Sequence, residues 1–198
     1  NLRPSSNAFG IDATFAHIKD DGMLKILNSL ILFRTGLGDE GVTKLANILP
    51  EFQLLEHLNL CHNLIGPEGA TKLADGLPSC EQLTCIDLRV NCLGVAGIRP
   101  IAIALPKCTK LTTCKLSQNN LQIEGARIVA AMLPTCAVLK ELYVSFNGFH
   151  DAGVNLLANA LHLCPTLSVL KLYDTRQLSQ STRNQVTLKY GDRIQIAW

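Results

Sequence analysis

Leucines recur along this chain at a fixed interval. Leu27, Leu55, Leu83, Leu111, Leu139 and Leu167 stand 28 residues apart without an insertion, and each opens a Leu-x-x-Leu-x-Leu segment. The second position of that segment reads Leu30, Leu58, Ile86, Cys114, Leu142, Leu170, and the third reads Leu32, Leu60, Leu88, Leu116, Val144, Leu172. Alternation of apolar and other residues predicts a short strand with its apolar side chains on one face. Three residues further on stand Thr35, Asn63, Asn91, Asn119, Asn147 and Thr175, and two beyond them Leu37, Ile65, Leu93, Leu121 and Phe149. The second half of each unit changes period. Gly41, Gly69, Gly97, Gly125 and Gly153 open a Gly-x-x-x-apolar-Ala-x-x-Leu run, as in Leu73-Ala74-Leu77, which is one apolar stripe of a helix. Pro50, Pro78, Pro106 and Pro134 follow four of the five runs and are expected to end them.

Each unit is therefore a strand, a turn, a helix and a return turn. One such unit cannot bury its apolar face alone, but stacked neighbours share a continuous core. The expected fold is an α/β right-handed solenoid with 28-residue repeats, its parallel β-sheet on a concave face and its α-helices on the convex face. Helices are wider than strands, so the stack should bend into a horseshoe. Residues 1–26 read as an N-terminal capping segment, 27–175 as five full units plus a sixth strand, and 176–198 as a C-terminal cap. Within the first cap, residues 11–22 resemble half a helical unit with Asp12 as N-cap and Gly22 as its stop. Within the last, Ser179 to Tyr190 reads as a polar helix ended by Gly191. Ile194 and Ile196 read as a closing edge strand, with Trp198 covering apolar surface. The Asn column falls where the chain leaves each strand. A side-chain amide there both donates and accepts, so Asn63, Asn91, Asn119 and Asn147 are assigned to holding turn backbone.

Segments such as Leu55-Glu-His-Leu-Asn-Leu-Cys-His-Asn-Leu-Ile-Gly-Pro-Glu-Gly69 resemble the ribonuclease-inhibitor-like leucine-rich repeat. That group includes ribonuclease inhibitor, the Ran GTPase-activating protein and the sensor arrays of NOD-like receptors. The resemblance covers residues 24 to 175. It implies the horseshoe fold and leaves the task open, because the group shares a scaffold and not a function.

Composition narrows the functional classes. Eighteen basic against sixteen acidic residues give a net charge of +2, which makes no electrostatic case for nucleic acid or an anionic membrane. Eight cysteines could suggest disulfides, but Cys80, Cys108, Cys136 and Cys164 recur at one repeat position and read as small hydrophobes filling a tight corner. No signal-peptide run opens the chain, so a cytoplasmic setting is expected, with cytoskeletal, ciliary and nuclear variants of it. Gly36, Gly38 and Gly41 spell a dinucleotide fingerprint, yet Gly38 aligns with Gly66 and Gly94 and is explained by turns. His57, Cys61, His62 and Cys85 invite a zinc reading without matching a ligand spacing, so no metal and no cofactor are expected. Asp39, Glu40, Glu68, Glu124 and Asp151 read as charges at helix N-termini. No motif of an enzyme active site occurs.

What remains is a binding surface. Strand positions not used by the leucine columns should face solvent: Ile31, Asn59, Asp87, Lys115, Tyr143 and Lys171; then Phe33, Cys61, Arg89, Ser117, Ser145 and Tyr173; then Arg34, His62, Val90, Gln118, Phe146 and Asp174. Aromatics make up only 5% of the chain, so Tyr143, Phe146 and Tyr173 on two adjacent strands are informative. Surrounded by Lys140, Glu141 and Lys171, they have the composition of an interface hot spot. Phe33 with Arg34 and Arg89 forms a second, smaller candidate near the N-terminal end. The reading is a non-catalytic protein–protein interaction scaffold that binds its partner through the concave strand face, as part of a ciliary, cytoskeletal or signalling assembly. The resemblance implies one alternative, a GTPase-activating regulator like the Ran GTPase-activating protein.

Overall fold

The computed structural model describes residues 23–173, 178–192 and 194–198. Seven three-residue strands form one parallel sheet in sequence order: β1 (Ser29–Ile31), β2 (His57–Asn59), β3 (Cys85–Asp87), β4 (Thr113–Lys115), β5 (Glu141–Tyr143), β6 (Val169–Lys171) and β7 (Gln195–Ala197). Leu30, Leu58, Ile86, Cys114, Leu142 and Leu170 are partners in an unbroken row, so the 28-residue repeat is also the strand register. Between the strands run α1 (Gly38–Ile48), α2 (Pro67–Gly76), α3 (Gly94–Ala104), α4 (Gln122–Met132) and α5 (His150–Ala160). Each continues into one 3-10 turn, and in the first four that turn carries the proline at its start. The prolines thus sit where their missing N–H is already an orphan of the helix start.

A single core fills the space between sheet and helices. All six leucines that open the units lie within it, along with the strand leucines and the Leu45/Leu73/Ile101/Val129/Leu157 helix column. The helices pack closely at the glycine column. A Cβ on Gly69 would come within 2.9 Å of the Asp39 Cα, so only glycine admits α1 and α2 at this spacing.

The asparagines run through the stack as a buried ladder. The Asn91 Oδ1 accepts from the Asn63 and Ile65 amides at 3.0 Å each, and its Nδ2 donates to the Leu60 and Leu88 carbonyls at 3.0 Å. Asn63, Asn119 and Asn147 repeat the pattern one unit apart. Their own carbonyls serve the helices. The first amides of α1, α3 and α4 donate to the Asn63, Asn119 and Asn147 carbonyls of the following unit, which stand in for side-chain caps.

Three sequence expectations need correction. Gly38 and Gly94 take the left-handed conformation the turn requires, but Gly66 is extended at φ −93°, because Pro67 follows it and excludes the helical region. Gln122 and His150 occupy the same turn position at φ 58° and 49° without being glycine. The cysteine corner is not uniformly small: Phe52 fills it in the first unit, 28 residues before Cys80. Finally, Asp39 and Asp151 serve the next helix rather than their own, accepting from the Gly66 amide at 2.6 Å and the Ser179 amide at 2.9 Å.

At the C-terminal end α6 (Gln180–Tyr190) begins at Ser179, whose hydroxyl accepts from the Thr182 amide. β7 pairs with β6 along Val169↔Gln195, two residues short of the regular period. Ile194 is fully buried, while Ile196 and Trp198 pack against the core edge and the Trp198 indole donates to the Thr187 hydroxyl. The reading of residues 11–22, with Asp12 and Gly22, and of Asp174 and Thr175, lies outside the described residues.

Candidate interaction groove

The sheet's outer surface is built from positions at period two. Where leucines of the strands turn inward, Glu141 and Tyr143 on β5 and their counterparts on each neighbour turn outward. Sequence reading placed the columns of Asn59 and Cys61 there but missed the one that precedes them: Ser29, His57, Cys85, Thr113, Glu141 and Val169. Counting back two residues from Asn59 would have found it.

One groove of about 430 Å³ crosses this surface from β1 to β6. Its walls carry Phe33, Arg89, Tyr143, Phe146, Lys171 and Tyr173. The two candidates that sequence kept apart lie along one groove: Phe33 and Arg89 share its lining with the aromatic cluster. Arg34 is exposed but does not line it, and Lys140 lies in the turn before β5, where its backbone joins the ladder. Glu141 stands beside the groove and accepts a hydrogen bond from the Tyr143 hydroxyl at 2.9 Å. Phe146 and Tyr173 are 54% and 43% exposed, so neither the turn nor the C-terminal segment covers them.

The floor differs from expectation. Cys61, Asp87, Ser117 and Ser145, read as solvent-facing, are buried. For Asp87, Ser117 and Ser145 the cause is backbone satisfaction. Amides on this edge point outside the sheet ladder, and short side chains fold down to accept from them. The Asn59 Oδ1 takes the Cys61 amide, the Asp87 Oδ1 takes the Arg89 amide, the Ser117 hydroxyl takes the Ser145 amide, and the Ser145 hydroxyl takes the Tyr173 amide. Asp87 is further covered by Arg89, whose guanidinium meets it through Nε at 2.9 Å and Nη2 at 2.6 Å. The Asp87 carboxylate bonded to it raises the Arg89 pKa, so the guanidinium stays charged, and the ion pair leaves little net charge at this point of the groove. Ser117 breaks the pattern. Lys115 and Arg89 stand where the acceptors would be, and among the described residues nothing accepts from the Ser117 amide.

Electrostatics across the strands follow the register. Lys115, Tyr143 and Lys171 are direct neighbours on β4, β5 and β6. The Lys115 ammonium lies 5.3 Å from the Tyr143 ring centroid. Burial, then the hydrogen bond to the Glu141 carboxylate, raise the Tyr143 pKa, so the phenol is neutral and a donor. At the β1 end Phe33 meets His62 edge to face, with centroids 6.3 Å apart. Burial also pushes Cys61 and Cys85 up, which makes them poor thiolates, and among the described residues no group of three or more His, Cys, Asp or Glu is placed to hold a metal. No helix among the described residues is long and apolar enough to cross a membrane.

Comparison with known proteins bears on the scaffold. Residues 25–46, 53–74 and 135–158 match the leucine-rich repeat family model. Comparison with curated protein sequences gives no match. Among solved structures the chain is similar to actin-binding site 2 of leiomodin-1, with a TM-score of 0.62 and 18% identity over 81% of this chain and 92% of that one. It is also similar to the C-terminal domain of tropomodulin from Caenorhabditis elegans, with a TM-score of 0.58 and 14% identity over 78% and 93% of the two chains. With the seven-stranded parallel sheet and its alternating helices, these likenesses show the fold: an α/β leucine-rich-repeat solenoid.

Proposed function

We propose that this solenoid is a non-catalytic docking module that binds a partner protein through its concave strand face. One observation carries the reading: four of the chain's ten Phe, Tyr and Trp residues (Phe33, Tyr143, Phe146 and Tyr173) line a single open groove. Aromatic anchors with Arg or Lys at the rim are the composition of binding hot spots, and an uncovered aromatic cluster costs solubility unless something occupies it. The rigid sheet supports the same reading, because a preorganised surface loses little entropy on binding. The helix in every described repeat supports the ribonuclease-inhibitor-like type within leucine-rich repeats. The leiomodin-1 domain is named as an actin-binding site, which makes a cytoskeletal protein the first partner to test.

The test is affinity capture from the source cell with three immobilised proteins, each checked for folding by circular dichroism. These are the unaltered chain, Tyr143→Ala/Tyr173→Ala in the groove, and Glu124→Ala/Arg127→Ala on the exposed face of α4. The major partners should be retained by the first and third and lost by the second. Retention by the groove variant with loss on the α4 variant would overturn the proposal and move binding to the helices.

A further inference from the structure

We infer that the groove takes an extended, acidic segment of the partner, with a carboxylate held over the Lys115–Tyr143–Lys171 row; this rests on the docking role proposed above. The charges facing the groove are unequal in what they leave open. Arg89 is neutralised by Asp87 beneath it, and Glu141 is engaged by the Tyr143 hydroxyl. Lys115 and Lys171 have no carboxylate partner among the described residues, and they flank Tyr143 on either side in register. Neighbouring strands are about 4.8 Å apart, so the two lysine backbones stand about 10 Å apart with the phenol between them. A carboxylate laid on that row meets two ammonium groups, and the acid nearest it, Glu141, is already bonded to the Tyr143 hydroxyl. A Lys or Arg side chain laid there meets the same two ammonium groups as like charges.

The remaining features fit an extended chain better than a folded knob. Five strand spacings separate β1 from β6, so the groove is about 24 Å long, the reach of roughly seven extended residues. Its apolar walls are discontinuous: Phe33 at one end, Tyr143, Phe146 and Tyr173 toward the other. An extended peptide projects alternate side chains at spacings that can reach both ends while its acid falls between. Ser117, two residues beyond Lys115, lies on the floor, and its amide has no acceptor among the described residues. Charge-assisted bonds of this kind set orientation and partner choice more than raw affinity.

The probe is a display library of random twelve-residue peptides, selected in parallel on the unaltered chain, on Lys115→Gln/Lys171→Gln and on Tyr143→Ala/Tyr173→Ala. On the unaltered chain, Asp and Glu should be enriched at one or two positions flanked by apolar residues. The lysine variant should lose that acidic preference while keeping the apolar one, and the best acidic peptide should bind it about fivefold more weakly, the upper end of the scale for one exposed charge pair. The tyrosine variant should lose enrichment altogether. An acidic preference that survives in the lysine variant, or selection of neutral or basic peptides, overturns the inference. So does a failure to enrich anything beyond the tyrosine variant. If affinity capture still depends on the groove in that last case, the partner presents a folded surface and only this inference fails.

Discussion

Replacing Asn91 by alanine should cost about 3–5 kcal/mol, from three backbone groups each losing their partner at about 1–1.5 kcal/mol, the lower part of the range for an unsatisfied buried group. Asn91 makes four hydrogen bonds of 3.0 Å. Removing them does not orphan four groups. The Leu88 carbonyl also accepts from the Asn119 Nδ2 at 2.8 Å and stays satisfied. Among the described residues the Asn63 amide, the Ile65 amide and the Leu60 carbonyl have no second partner. Set against a typical stability of about 5–15 kcal/mol, the loss is a large fraction of the total.

Asn91→Asp separates hydrogen bonding from shape. The acid keeps an acceptor toward Asn63 and Ile65 but turns its other oxygen on the Leu60 and Leu88 carbonyls. Burial and those carbonyls must raise its folded pKa above the ordinary value of about 3.9. A raised carboxyl contributes its stability below the unfolded pKa and loses it as pH rises through the folded one. Urea unfolding followed by far-ultraviolet circular dichroism at pH 4.5 and 7 checks both points. The aspartate variant should lie closer to the unaltered chain at the lower pH. An alanine variant that loses less than about 1 kcal/mol would mean that water or relaxed backbone satisfies the turns and that the ladder does not hold the stack.

Gly69→Ala should destabilise by about 1–3 kcal/mol in thermal melts, because the new Cβ meets Asp39 backbone; Gly97→Ala, whose nearest neighbour is a side-chain Cβ at 3.2 Å, should cost less. With a colorimetric thiol reagent at pH 8 and peptide mapping, exposed Cys92 should label rapidly. Cys80 and Cys136, pushed by burial up to about 11, and Cys108, pushed up to about 12, should wait for unfolding, and early labelling of Cys108 would contradict this. Val90→Asn should raise the melting temperature by relieving up to about 1 kcal/mol, since Val90 is β-branched at φ 55°. Hydrogen bonds from Ser179 hold the Asp151 carboxyl below its ordinary value, so it stabilises the cap above pH 3.8 and loses that as pH falls through the folded pKa. The melting-temperature gap between the unaltered chain and Asp151→Asn should accordingly narrow between pH 6 and 3.

The core was legible because burial in a repeat is periodic. A leucine that must face its neighbour in one unit must do so in all, and Leu27 to Leu167 could be aligned by counting. The groove was legible in composition and not in shape. Tyr143, Phe146 and Tyr173 stood out as aromatics at outward positions, but their union with Phe33 and Arg89, two to five strands away, depends on how the sheet holds its rows. The floor was illegible for another reason. Period two says which way a side chain leaves the backbone, and it cannot say that Ser117 and Ser145 will fold back to accept from amides. That outcome follows from hydrogen-bond accounting at a strand edge, and it turns three residues expected at the surface, Asp87, Ser117 and Ser145, into buried supports.

The turn beside the groove shows where fold and function meet in this sequence. Arg34, His62, Val90, Gln118 and Phe146 all adopt left-handed backbone at φ 55–62°, none of them glycine. The geometry is forced, because each amide must still reach the carbonyl of Cys61, Arg89, Ser117, Ser145 or Tyr173 on the next unit as the chain leaves the strand. The residue choice is not forced. Glycine or asparagine would adopt that conformation more easily, by about 1 kcal/mol at each position. What the larger residues add is a side chain at the groove's edge: Val90, Gln118 and Phe146 line it, and His62 meets Phe33. Elsewhere the left-handed positions are divided between glycine (Gly36, Gly38, Gly94 and Gly148) and Leu64, Asn120, Gln122 and His150, so what sets the five turns at the groove apart is where their side chains stand. Phe146 is a sharp case: an exposed aromatic on left-handed backbone costs the fold twice, in conformation and in solvation, and under the proposed docking role a partner in the groove would return both.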